Sequence, residues 1–354
     1  MKIFFLITEL HEGGAENAFF HTAVELKRRG HEIHVASLHG GDGAVAQRLR
    51  DQGMAVFDLG LRRPWHLWKL LKLRRYIREL APDWIYSWLF HANLAAKLCC
   101  GSIPLAIGLR VLEPRSTHLA LEKIFRSRVK TVFAVSREVL DWASHTLGYP
   151  AEICHYTPNG VDPTPFAGIV RQAWRPGQPL RLLTVARKTR QKGLDILVEA
   201  LAMLPPESDW SWTLVGEEPE SDYLEELHTL ITRFGLKHRI EFRPKINRDQ
   251  LPSIYAAHNL FVLPSRWEGQ ANVVLEAAAA GLPVLCSEHC GYSADEVHAL
   301  KLDPRDWAFA LTDILLGKRT PAKPESLAQL SSGYSFSRNA EFIEDIFITR
   351  ISNA

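Results

Sequence analysis

Two glutamates and two cations in the second half of the chain have the types and spacing to bind an anion and hydroxyl groups together. Asn259 to Pro264 is an apolar run that reads as a short buried strand, and Ser265 to Ala271 is a polar loop after it. Asn272 to Ala280 is rich in alanine, the best helix former, and Gly281-Leu282-Pro283 stops it. A helix start presents unpaired N–H groups and a partial positive charge, so the stretch around Gly269, Asn272 and Val273 suits a phosphate. Glu268 and Glu276 lie on either side of that start, and carboxylates accept hydrogen bonds from sugar or ribose hydroxyls. Taken singly, Glu268 reads equally as a capping group and Glu276 as a solvated helix residue. Upstream, Arg187 ends the apolar run that begins at Leu180, and Lys192 precedes a helical pattern over Leu194–Leu204. Both cations can therefore reach one phosphate, lysine as a point charge and arginine as a fork.

These groups need a scaffold, and the chain supplies an alternation of strands and helices. Lys2 to Thr8 reads as a buried strand, and Gly13-Gly14 turns the chain into an amphipathic helix that runs to about Arg29. Glycines between a strand and a helix let a ligand approach the backbone, although the spacing is not G-x-G-x-x-G. Further strands are expected at 31–38, 55–59, 84–89, 105–109 and 131–136, with helices between them. Such alternation predicts an α/β chain with parallel sheets covered on both faces. Ligands in these sheets bind beyond the carboxyl ends of the strands, where His91 and Arg110 fall. His91 reads equally as a capping or packing residue.

The pattern E-G-x-x-x-V-x-L-E followed by A-G-L-P-V, carried by Glu268, Gly269, Val273, Leu275, Glu276, Gly281, Pro283 and Val284, resembles the donor-site motif of the retaining glycosyltransferases of family four. The resemblance implies a GT-B fold, two doubly wound Rossmann-like domains facing across a cleft. It implies that Glu268 contacts the donor sugar, that Glu276 holds the ribose, and that Arg187 and Lys192, spaced R-x4-K-G, hold the pyrophosphate. Gly14 and Glu16 of G-G-A-E would face the donor phosphates and the acceptor, and Gly216-Glu217 would turn beside the base. Where the family often has a histidine toward the donor sugar, this chain offers Arg110. Pro158-Asn-Gly-Val-Asp162 resembles the inter-domain segment of the family. The domains are accordingly expected at 1–165 on the acceptor side and 166–335 on the donor side, with a helix over 336–354 crossing back to the first. After Tyr292 the sequence departs from the family pattern, and the last strand is expected to be lost or much shortened.

The segments ALAMLPPES and AGLPVLCSEHCGY look most like the glucosyltransferases that build the lipopolysaccharide core. The implied function is transfer of a hexose, from UDP-hexose, to a glycan or glycolipid acceptor with retention. The alternatives are a sugar-nucleotide epimerase of the same fold and a catalytically silent binding protein. No cofactor beyond the nucleotide sugar is expected. Without a D-x-D sequence, no metal is expected at the pyrophosphate. Cys286, His289 and Cys290 fall short of the four ligands of a structural zinc site.

The chain has 354 residues, room for two ordinary domains with their own cores. No apolar run approaches the ~18 residues of a membrane span, and the first eight residues read as a strand rather than a signal peptide. Five cysteines without paired spacing point by default to a reducing, cytoplasmic setting. Residues 1–165 hold 21 Lys and Arg against 16 Asp and Glu, while the remainder holds 21 against 24. The basic half suits an acidic lipid-linked acceptor, and nothing points to nucleic acid. Arg62 to Arg78 contains seven Lys or Arg interleaved with Trp65, Trp68, Leu71 and Tyr76. That composition suits the inner face of an anionic membrane, and it suits equally a sheet-covering helix with a basic solvent face. In the second case Leu67, Leu70, Leu71 and Ile77 would cover the sheet.

Overall fold

A computed structural model describes the chain except residues 63–65, 67, 113–115, 172–173, 294–295, 320–323 and 353–354. Arg63, Trp65 and Leu67 of the basic segment therefore lie outside the described residues. The chain forms two compact units, Met1–Gly160 with Ser335–Ala354, and Val161–Tyr334.

The first unit holds a seven-stranded sheet of β1 (Lys2–Ile7), β2 (Glu32–Ser37), β3 (Ala55–Asp58), β4 (Trp84–Trp88), β5 (Leu105–Leu109), β6 (Val129–Ala134) and β7 (Cys154–Tyr156). The strand order is β3-β2-β1-β4-β5-β6-β7, and every pairing is parallel. Its helices are α1 (Gly14–Arg28), α2 (Ala44–Asp51), α3 (Lys69–Leu80), α4 (Phe90–Cys99), α5 (Ser116–Lys123) and α6 (Arg137–His145). β1 is apolar without alternation because both of its faces are covered. Ile3, Phe5 and Ile7 pack on one side with Phe19, Val24 and Trp84, while Phe4 and Leu6 pack on the other with Ile77 and Ile85.

The second unit repeats the plan with six strands: β8 (Leu180–Val185), β9 (Trp210–Val215), β10 (Ile240–Arg243), β11 (Leu260–Leu263), β12 (Val284–Ser287) and β13 (His298–Leu300). Their order is β10-β9-β8-β11-β12-β13, again all parallel. Its helices are α7 (Leu194–Ala202), α8 (Ser221–Arg233), α9 (Leu251–Ala256), α10 (Asn272–Ala279), α11 (Pro304–Leu315) and α12 (Pro324–Gly333). The last strand, expected to be lost or shortened, forms over three residues and pairs with β12 from Leu285–His298 to Ser287–Leu300. So short an edge strand suffices because its neighbour is already anchored by β11.

The final helix, α13 (Phe336–Ser352), belongs to the first unit. Phe347 stacks on Trp84 at 4.5 Å between centroids, and the Glu344 carboxylate lies 3.0 Å from His31 Nε2. Gly160 lets this helix start close by, since a Cβ there would lie 2.4 Å from the Phe336 nitrogen.

In both sheets the strand order reverses beside the first strand, between β1 and β4 and between β8 and β11. Loops leaving the carboxyl ends of two such neighbours diverge to opposite faces and leave a crevice. In the second unit those two loops are 186–193 and 264–271, which hold the residues singled out for chemistry.

Candidate functional site

Gly193 and Pro264 make the closest joint between the two loops. Gly193 has φ +63°, and a Cβ on it would sit 2.1 Å from the Pro264 carbonyl oxygen, so only glycine fits. Main chain and side chain lock the loops together: the Arg266 N–H donates to the Gln191 carbonyl at 2.7 Å, and the Gln191 amide donates to the Trp267 carbonyl at 2.8 Å. Arg266 grips Asp195 with two hydrogen bonds of 2.9 and 2.5 Å, and Tyr223 donates to the same carboxylate at 2.5 Å. Burial pushes the Asp195 carboxyl up, but those bonds outweigh it and leave the group below its ordinary value.

This joint brings Lys192 and Glu268 into an ion pair, although 76 residues separate them in sequence. Ser265 donates to the same Glu268 oxygen at 2.7 Å. Glu268 is buried, and its second oxygen remains to accept from a hydroxyl. Lys192 has three N–H donors, and Glu268 takes one direction of them. Arg187 is exposed and reaches the Gln191 side chain only at 3.5 Å. The Thr189 hydroxyl beside it is buried with no partner among the described residues.

α10 starts from the second loop. Its first residue follows Ala271, which carries no capping side chain. A helix start without a side-chain cap is the feature that binds an anion. Gly269 is held from behind by Gly291, whose φ is +84° and whose Cβ would lie 2.4 Å from the Gly269 carbonyl. Asn272 and Val273 form the half-buried first turn. One turn on, Glu276 is buried and doubly held, by Arg248 at 2.9 Å and by the Tyr255 hydroxyl at 3.1 Å. Burial and the Glu276 charge push the Tyr255 phenol far up, so it stays a donor.

Gly216 closes the other wall. Its Cβ would lie 2.0 Å from the Ala186 carbonyl, which fixes the β9 turn against the loop carrying Arg187. Lys188 braces this turn: its buried ammonium donates to the carbonyls of Gly216 and Arg243 at 2.7 and 2.9 Å and pairs with Glu218 at 3.0 Å. Arg187, Lys192, Glu268, Gly269, Asn272, Val273 and Gly216 thus all belong to loops or helix starts at the same end of the second sheet, with Glu276 one turn further along α10.

The expected residues of the first half lie in the other unit. Gly14 is exposed and opens α1, while Glu16 is buried and folds back toward Gly13. His91 is exposed beside Phe90 and His118, whose rings stack at 4.1 Å. Arg110 is buried, its guanidinium lying 3.5 Å over the Trp88 ring. It donates to Tyr86 at 2.8 Å, to the Thr157 carbonyl at 3.2 Å and to Asn159 at 3.3 Å. Those bonds tie the Pro158-Asn159-Gly160 turn to the sheet, and burial lowers the Arg110 affinity for its proton.

Sequence reasoning missed Ser265, Thr189, Lys188, Arg248 and Tyr255. Lys188 and Thr189 stood inside the expected phosphate loop, but only the packed turn separates the buried lysine from the exposed arginine before it. Arg248 comes from the connection between β10 and α9, and Tyr255 from α9 itself, and neither carries a local signal.

Comparison with known proteins follows the same division. The family described as "Glycosyltransferase Family 4" matches residues 12–164, and "Glycosyl transferases group 1" matches residues 169–307. The amylovoran biosynthesis glycosyltransferase AmsK of Erwinia amylovora is 33% identical over 182 residues, 48% of this chain and 43% of that protein. The lipopolysaccharide core biosynthesis mannosyltransferase LpsB of Rhizobium meliloti is 36% identical over 110 residues, 30% of this chain and 31% of that protein. The chain spans a little under half the length of the curated relatives it matches first. In structure it is similar to HepE of Anabaena, solved with UDP and glucose, with a TM-score of 0.83 at 22% identity over 99% of this chain and 100% of that one.

Proposed function

From the membership of this chain in the family four glycosyltransferases of GT-B fold, we propose that it transfers a hexose from UDP-hexose to a glycan or glycolipid acceptor, with retention, in the synthesis of lipopolysaccharide or another cell-surface polysaccharide. The observation that carries this reading is the convergence of Arg187, the Lys192–Glu268 pair and the uncapped start of α10 at one end of the second sheet. In the transfer, the bond from the anomeric carbon to the phosphate oxygen breaks and its electron pair leaves with UDP. The acceptor hydroxyl forms the new bond and passes its proton to the departing phosphate oxygen. Arg187, Lys192 and the α10 N–H groups are placed to stabilise the charge that grows on the departing phosphate. Glu268 accepts from sugar hydroxyls and Glu276 from the ribose. Charge compensation at the pyrophosphate needs no metal in this scheme, because two cations and a helix start supply it.

The acceptor belongs to the basic first unit, beside the start of α1 at Gly14 and Glu16. No described helix is long and apolar enough to cross a membrane. We place the enzyme on the cytoplasmic face of an anionic membrane through α3, where a lipid-linked acceptor is reached by a search in two dimensions.

A screen of UDP-hexoses by calorimetry, followed by assay of UDP release with and without a lipopolysaccharide-core acceptor, tests the reading. Acceptor-dependent UDP release with formation of a glycosidic product is the expected result. A new UDP-sugar formed without acceptor would identify an epimerase instead, and failure of any nucleotide to bind the folded protein would identify a silent relative.

A further inference from the structure

The loops that leave β1 and β2 in the first unit carry a cluster to which the transfer proposed above assigns no role. One ligand atom from each of Glu9, His11 and His39 lies within 4.8 Å of the other two. His39 Nδ1 stands 3.8 Å from a Glu9 carboxylate oxygen. We propose that these three side chains form a binding site for a divalent transition metal, zinc foremost.

The backbone builds the site before any ion arrives. Leu10 is fully buried in the core, and on either side of it Glu9 is half-buried and His11 exposed. The parallel pairing of β1 and β2 continues past their ends. The Leu38 N–H donates to the Ile7 carbonyl at 3.0 Å, and the His39 N–H donates to the Thr8 carbonyl at 3.1 Å. His39 is thereby carried to the same level as Glu9. The glycine run that follows packs on the first loop: a Cβ on Gly43 would meet the Leu10 carbonyl at 2.2 Å. Gly40, at φ +77°, seats the His11 ring, since a Cβ there would come within 3.0 Å of its Nε2. Both ligand-bearing loops are thus fixed by main-chain contacts, and only side-chain rotation remains.

The donor set selects the ion. Two imidazoles and one carboxylate suit zinc and its first-row neighbours, whereas calcium and magnesium call for oxygen ligands. Zinc bonds of ~2.0–2.1 Å place tetrahedral ligand atoms ~3.4 Å apart, a short rotation from the present spacing. Three protein ligands leave the fourth position open to water. The cluster lies wholly on the first unit, so its occupancy does not depend on how the second unit holds a nucleotide.

The test uses tag-free, chelator-stripped full-length protein titrated with ZnCl2 by calorimetry and with CoCl2 by visible absorption. One ion per chain is expected, with a raised midpoint of thermal unfolding. His11→Ala and His39→Ala are each expected to lower zinc affinity by at least the ~10–100-fold that loss of a mere outer-shell partner costs. Glu9→Gln, which keeps the shape of the side chain, is expected to weaken binding as well. Metal-free midpoints equal to wild type confirm that the variants are folded. Zinc affinity unchanged in the His11→Ala/His39→Ala double variant, or no stoichiometric uptake by the wild type, overturns the proposal.

Discussion

Glu276 meets Arg248 and Tyr255, partners that lie 28 and 21 residues before it. The pair holds the carboxylate in one orientation and leaves lone pairs free for a ribose. Glu276→Ala removes a charged acceptor worth roughly 1.5–3 kcal/mol, so UDP should bind about 10- to 100-fold more weakly by calorimetry. Arg248 is far more exposed than Glu276, so Arg248→Ala should cost less, under about tenfold, with Tyr255 still in place. Equal UDP affinity in Glu276→Ala would remove this residue from the site. In the proposed transfer, Arg187→Ala and Lys192→Ala act on the leaving group. Each should lower kcat by roughly 10²–10³, as loss of one charge-stabilising donor does, with a smaller change in KM. A loss confined to KM would assign them to binding that is equal in the ground and transition states. Chelator should leave UDP affinity unchanged, whatever it does to the first unit. The types and spacing of Arg187, Lys192, Glu268 and Glu276 were legible because each lies in or beside a loop that the sequence punctuates between a strand and a helix. What was not legible is their mutual geometry, because Lys192 and Glu268 meet only through the Gly193–Pro264 contact.

Strands with long apolar runs and helices with clear stops were readable element by element: β1, β4, β5, β8 and α10 fall where the pattern puts them. The three-residue strands β7 and β13 are half-buried edges, so neither alternation nor an apolar run marks them. The pairing that holds α4 to α5 was also invisible. Lys97 on α4 is fully buried and donates to Glu122 on α5, to its carbonyl and at 2.7 Å to its carboxylate. Tyr149 donates to the same carboxylate at 3.3 Å. Burial lowers the Lys97 affinity for its proton, and the Glu122 charge opposes that shift. A period-based reading places lysine outside, and nothing near Lys97 in sequence announces a partner 25 residues away. Removing one member strands a buried charge, so Lys97→Ala should cost about 3–5 kcal/mol by urea unfolding. Lys97→Met with Glu122→Gln leaves no charge and keeps an acceptor for Tyr149, so it should recover most of that loss. A double variant as unstable as the single one would show that packing, not charge, sets the cost.

At the scale of the whole molecule, charge is unevenly divided, and the basic half carries α3. Inward, this helix buries Leu73 and Ile77 against the sheet, with Leu70 and Tyr76 packed at the margin. Leu71 was expected to cover the sheet, but it is 70% exposed, and Trp68 is 55% exposed. The reason is helical spacing: with Leu73 and Ile77 facing in, Leu71 falls two residues before the buried seam and turns outward. Lys72 lies 5.0 Å from the Trp68 ring, while Lys69 is committed to the Gly60 carbonyl and Arg75 to Glu79. The outer face therefore offers Lys72, Arg74 and Arg78 around two exposed apolar side chains. Anionic lipid attracts each basic residue by about 1 kcal/mol near the surface, and a tryptophan ring favours the headgroup level. Two exposed apolar groups are too few for deep insertion, so binding should be mainly electrostatic and reversible. In liposome sedimentation the protein should pellet with anionic vesicles, stay in solution with zwitterionic ones, and be released as added salt shortens the screening length. Changing Lys72, Arg74 and Arg78 to Gln should abolish pelleting, and Leu71→Ser should weaken it without changing its salt dependence. UDP affinity should be unaltered in both, because α3 carries none of the residues proposed to hold the nucleotide. Pelleting of the triple variant with anionic vesicles, or none by the wild type, would leave α3 as a cover for the sheet and the lipid-facing role unfilled.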